Sequence, residues 1–160
     1  MKSVITAALV GVACLFGAVQ AKAAAAGPPP YGLSLDGDQA MAALTAAEAE
    51  ARKNNWSLAI SVVDTSGSLL AFHRMTGIAP LTGEISTLKA KSSAATRLTT
   101  KQLAAANANG PPLFLQLNLT PVEGAVPIVV GGKVVGAIGC SGALSSEDAQ
   151  AAAAGAAAVR

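Results

Sequence analysis

Apolar and polar positions divide the chain into a short series of elements. Met41, Leu44, Ala47 and Ala51 recur at helical spacing, with Glu48, Glu50, Arg52 and Lys53 among the remaining positions, which predicts a first helix. Ser34 or Asp36 suits its start and Lys53-Asn54-Asn55 its end. Two strand-like runs follow, 57–63 and 68–75, separated by Asp64-Thr65-Ser66-Gly67. That separator carries an Asx side chain and a glycine, the chemistry of a hairpin turn. The first run is apolar almost throughout, as expected of a strand covered on both faces.

Ile78 to Gly83 reads as a loop, and Ile85 to Arg97 as a helix with Leu88, Ala95 and Leu98 on one side. Thr99 or Thr100 can cap a short helix running through Ala106. Asn107 to Pro112 is a cluster of helix breakers, and Leu113 to Leu119 alternates weakly, as an edge strand would. Pro127 to Val130, Gly131-Gly132 and Lys133 to Gly139 form a second hairpin around a two-glycine turn. Ser145-Ser146-Glu147-Asp148 then opens an alanine-rich helix with acids at its positive end. The expected fold class is α+β: an antiparallel β-sheet of about five strands with helices packed on it.

The first residues change the picture of where this domain acts. Lys2, an apolar stretch from Ile5 to Val19 and Ala21-Lys22-Ala23 have the order of a secretory signal peptide, so 1–23 is expected to be removed. An extended Pro-rich tail at 24–32 and one domain at 33–160 remain, and the expected location is exported, periplasmic or extracellular. Without Lys2 and Lys22, nine basic residues face nine acidic ones. That balance, with no aromatic residues among Lys89, Lys91, Arg97 and Lys101, argues against nucleic acid as a partner and for a solvated helix face. Cys14 falls in the leader, so Cys140 stands alone and no intramolecular disulfide is expected.

The quoted hairpins carry a further signal. Val62-Val63-Asp64 with Gly67, Arg74-Met75-Thr76-Gly77, Lys89-Ala90, and Gly131 to Gly139 followed by Ser141-Gly142 resemble, in this order, the GlcG/HbpS family, which overlaps the C-terminal domain of PduO-type proteins. The resemblance spans about Leu33 to Val159. It implies an α/β domain on an antiparallel sheet, commonly homo-oligomeric. It also implies a small-molecule ligand that is haem in some members, and in one exported branch a sensor-kinase partner; a transport partner is the other expectation. The chain departs from the family at Thr76, where Asp is frequent, and at Cys140, where Val is. It has no histidine in the N-terminal part of the domain to carry over as an iron ligand.

Few residues offer chemistry. His73 is the only histidine, which excludes a His-rich zinc site. It stands two residues before Met75, on the same face by strand alternation. Imidazole and thioether can both ligate haem iron, so His73 is the candidate metal contact and Met75 a second; the alternative is an ordinary histidine at the end of a sheet. Cys140, beside Ser141, is either a thiolate ligand or a buried small hydrophobe. Arg74 can grip a carboxylate with two donors, and Lys89 and Lys91 as point charges, or each is an ordinary structural ion-pair residue. Gly139-Cys140-Ser141-Gly142 lacks the spacing of a hydrolase elbow, and no helix follows Gly131-Gly132 directly, as a phosphate loop requires. The leading expectation is an exported binding protein for haem or a related tetrapyrrole, used in sensing, sequestration or transfer. The alternatives are an enzyme or enzyme accessory acting on a small organic acid or cofactor, and an assembly module with no ligand.

Overall fold

Four antiparallel strands in the order β2-β1-β4-β3 form the centre of the molecule, seen in a computed structural model that describes residues 27–108, 110 and 113–160. The expected leader, residues 1–23, lies outside the described residues, as do Asn109, Pro111 and Pro112 of the breaker cluster. The elements run α1 (Gly37–Lys53), β1 (Ala59–Asp64), β2 (Leu69–Arg74), α2 (Leu81–Thr96), α3 (Thr100–Ala108), α4 (Leu113–Gln116), β3 (Ala125–Val130), β4 (Lys133–Ser141) and α5 (Ser145–Ala157). Among them is no helix long and apolar enough to cross a membrane.

The two hairpins, β1–β2 and β3–β4, are joined through their inner strands. β1 pairs with β4 from Ala59↔Ser141 to Asp64↔Gly136. Asp64 holds the first turn: one of its carboxylate oxygens accepts from the Ser66 and Ser68 amides, each at 2.8 Å, and Gly67 supplies a φ of 85°. In the second turn Gly131 and Gly132 both have positive φ, as a two-residue turn matched to strand twist requires.

The helices sandwich the sheet. α1 and α5 pack side by side on one face, and α2 lies on the other against β4, β1 and β3. Asp36 caps α1 by accepting from Gln39 N at 2.8 Å, while the Gln39 side chain accepts from the Asp36 amide. The face α1 buries is Ala40, Ala43, Leu44, Ala47 and Ala51; Met41, assigned to that face from its spacing, is 52% exposed. Thr99 caps α3, where it exchanges hydrogen bonds with Gln102.

Two expectations are corrected. The segment expected as a fifth strand begins instead with the single turn α4, and Leu117 N and Leu119 N both donate to Phe114 O. Those local bonds, with Asn118 at φ 55°, satisfy the backbone without a sheet partner. α2 buries the opposite face from the one expected: Ser86, Lys89, Ala90, Ser93 and Ala94 turn inward, while Leu88 is 45% exposed. Apart from Lys89, its inward residues are small because the helix sits close. A Cβ on Gly139 of β4 would collide with Ser86 O and would lie 2.7 Å from Ala90 N. Inward hydroxyls are satisfied locally, as where Ser92 Oγ donates to Leu88 O at 2.8 Å.

The described part of the segment expected as a tail is docked on the sheet. Val134 N donates to Pro30 O, Gly32 N to Val134 O and Leu35 N to Val135 O, so the tail occupies the edge of β4 beyond the end of β1. The Tyr31 hydroxyl donates to Ala94 O at 2.7 Å, and the Arg97 guanidinium lies 5.0 Å over the Tyr31 ring.

Candidate functional site

Alternation along β2 sorts the expected site residues onto two faces of the sheet. Phe72 and Arg74 point toward the α2 side. There, with Leu69, Pro80, Gly83, Glu84, Thr87 and Leu88, they line an open groove of about 700 Å³, within the usual range for small-ligand sites. The groove exists because α2 packs mainly on β4, β1 and β3 and touches β2 little. Phe72 and Leu69 are 46% and 49% exposed within it. A Cβ on Gly83 would meet the tip of the Phe72 ring at 3.1 Å, so the missing side chain lets the ring lie against α2. The lining hydroxyl of Thr87 belongs to a satisfied buried network: Ser61 Oγ lies 2.8 Å from both Ser86 Oγ and Thr87 Oγ1, and both of those hydroxyls also donate to Gly83 O. The side chains of Arg74 and Glu84 have no ion-pair or hydrogen-bond partner among the described residues, so the groove carries one free cation and one free anion at an apolar wall.

The remaining expected residues do not converge on it. His73 projects from the opposite face, with Nε2 3.6 Å from Glu48 Oε1 of α1. Met75 also lies on that side, buried in the core cluster with Ala47 and Ala51, and its sulfur accepts from Leu58 N at 3.3 Å. Cys140 is fully buried, and burial first, then the charge of Asp148, pushes its thiol far up, leaving it protonated at neutral pH. Ser141 ends β4 and is 6% exposed.

Lys89 is not a surface charge. It is 2% exposed, and its Nζ donates to Cys140 O at 3.1 Å and to Asp148 Oδ2 at 2.9 Å. Asp148 Oδ1 accepts from Ala143 N, so the pair ties α2 to the start of α5 around the end of the sheet. The expected solvated basic face is therefore broken up: Lys89 is buried, Arg97 stacks on Tyr31 and Lys101 pairs with Glu123 at 3.0 Å. Lys91 stays exposed beside the first turn, 3.6 Å from a Cβ placed on Gly67.

Of the lining residues, only Arg74 was anticipated. A signal for Phe72 was present, since an aromatic two positions before an arginine in a strand must share its face. The α2 side of the groove had none, because the helix was assigned the wrong buried face.

The described residues thus form an α+β sandwich with an open, largely apolar groove edged by two unpaired charges, the shape of a small-ligand site. The chain matches the family model described as "Haem degrading protein HbpS-like" over residues 35–157, and it belongs to that HbpS-like family. It is 43% identical over 108 residues to Protein GlcG of Escherichia coli, covering 67% of this chain and 81% of that protein. Among solved structures, HbpS superposes with a TM-score of 0.76 at 30% identity, over 86% of this chain and 99% of that one. The structure titled "PduOC:Heme Complex" superposes with a TM-score of 0.74 at 22% identity, over 80% and 96%, a likeness of fold.

Proposed function

We propose that this protein binds haem or a related tetrapyrrole in the β2–α2 groove, for its sensing, sequestration or transfer. The observation that carries the reading is the pairing of an exposed aromatic wall, Phe72 with Leu69 and Leu88, with the unpartnered Arg74. Apolar walls suit the faces of a macrocycle, and a guanidinium suits a propionate as a two-donor fork. Family membership and the haem complex of the PduOC neighbour support the same ligand. The fit is to the ring and its carboxylates: no histidine, cysteine or methionine lines the groove to meet the iron. When bound, haem would supply iron; this chain's residues would orient the ring and shield one of its faces from water.

A haem titration of the purified protein followed by absorbance tests this. Saturation near about one haem per chain is expected, weakened by Phe72→Ala and by Arg74→Gln. The absence of saturable binding would sink the reading.

The proposal includes export, supported by the leader-like order of Lys2, the apolar stretch and Ala21-Lys22-Ala23. It also includes self-association, and signalling or delivery through a sensor-kinase or transport partner, which the family resemblance supports. Intact mass of protein recovered from its native cells should begin at Ala24; a chain retaining Met1 in the cytoplasm would overturn export.

A further inference from the structure

We infer that the groove recognises the organic macrocycle and its carboxylates rather than the metal, so that an iron-free porphyrin binds as well as haem. The inference rests on the binding reading above and adds the chemical class that the site selects.

The argument is one of placement. No histidine, cysteine, methionine or tyrosine is among the residues that line the groove, and the expected iron ligands are directed elsewhere. His73 stands across the sheet beside Glu48, the Met75 sulfur is occupied by the Leu58 amide, and Cys140 is sealed in the core as a thiol. Tyr31, whose phenol is another ligand type, spends its hydroxyl on Ala94 O at the far end of α2. The one lining hydroxyl, Thr87 Oγ1, already serves Gly83 O and Ser61 Oγ. Most of what the groove offers is indifferent to a metal: a ring face in Phe72, aliphatic wall in Leu69 and Leu88, and the free guanidinium of Arg74, with the Glu84 carboxylate its one oxygen donor without a partner. The unpartnered Glu84, in the first turn of α2, lines the groove from the helix, whereas Arg74 lines it from β2. It disfavours a carboxylate on its own side, so an amphipathic acid is held in one direction, with its acidic edge at Arg74.

Protoporphyrin IX without metal, ferric haem and protoporphyrin dimethyl ester are titrated into the purified protein, with porphyrin fluorescence and absorbance as readouts. The free base and haem should bind within about threefold of each other. Phe72→Ala should weaken both about tenfold, and His73→Ala neither. Arg74→Gln should weaken the two acids and leave the ester, already weaker, unchanged. Both Phe72 and Arg74 are exposed, so these variants keep the fold, which circular dichroism confirms. Haem binding more than about tenfold tighter than the free base, with the difference abolished by His73→Ala, would overturn the inference while leaving the haem reading intact. Binding of neither compound would overturn both. Loss of self-association in Phe72→Ala, with no porphyrin bound, would reassign the groove to a second copy of this chain.

Discussion

At the residue scale the most consequential pair is Lys89 and Asp148, two charges that are 2% and 3% exposed at their side chains. Gly124, at φ 138°, gives the pair its room, since a Cβ there would lie 2.5 Å from Lys89 Nζ and 2.8 Å from Cys140 O. Removing one partner leaves the other charged and dry. Lys89→Met should therefore cost about 3–5 kcal/mol of stability in urea unfolding. Burial raises the Asp148 carboxyl from its ordinary value, against the lowering effect of Lys89. A carboxyl raised in the folded state binds its proton more readily there than in the unfolded chain. Its contribution to stability is thus full below the unfolded value and lost as pH rises through the folded one. With Lys89 gone the upward shift grows, so the deficit of Lys89→Met should narrow on acidification, and an unchanged deficit across the acid range would contradict this account. Only part of this was legible in the sequence. Lys89 stood as a point charge for a ligand, a solvated residue or a structural ion-pair residue, and the last holds, but Asp148 stood only as a dipole-facing acid in a first turn. Their partnership depends on a return of the chain from β4 to α5 that no local pattern encodes.

Elements with regular apolar spacing or decisive turns were legible. Both hairpins follow from Asp64, Gly67 and the Gly131-Gly132 pair, whereas the α1 cap stood open between Ser34 and Asp36 until the reciprocal bonds of Asp36 with Gln39 decided it. α2 was legible as a helix but not in its orientation. Leucine ordinarily marks the buried side, whereas here serine and alanine do, because α2 approaches β4 closely at Ser86 and Ala90; Lys89 alone is long, and it runs to Asp148. Gly139→Ala tests that closeness. The added methyl must displace the backbone of α2 at Ser86 and Ala90, not a flexible side-chain tip, so a loss of about 1–3 kcal/mol is expected. A compensating decrease in porphyrin affinity should accompany it, since α2 forms one wall of the groove. Unchanged thermal unfolding would show that the helix gives way freely. The four residues Leu113–Gln116 were misread for a simpler reason: weak alternation over a short leucine-rich run suits a strand or a turn of helix equally, and local hydrogen bonds decided it.

For the whole molecule, fold class and family were within reach of the sequence because ordered motifs spread over the domain constrain it together. The groove was only half visible. Its β2 wall lies on an alternating strand, but its other wall required knowing which sheet strand α2 leaves uncovered. The topology also orders assembly. The central ladder joins β1 to β4, so the first hairpin keeps its inner edge unpaired until β4 docks, and α2, α3, α4 and β3 lie between them in the chain. Until then Val62 and Val63 lack Ile138 and Ala137, the residues they face in the ladder. An early fragment that stops short of β4 is thus a hairpin with one open edge, a template for mispairing that only the return strand closes.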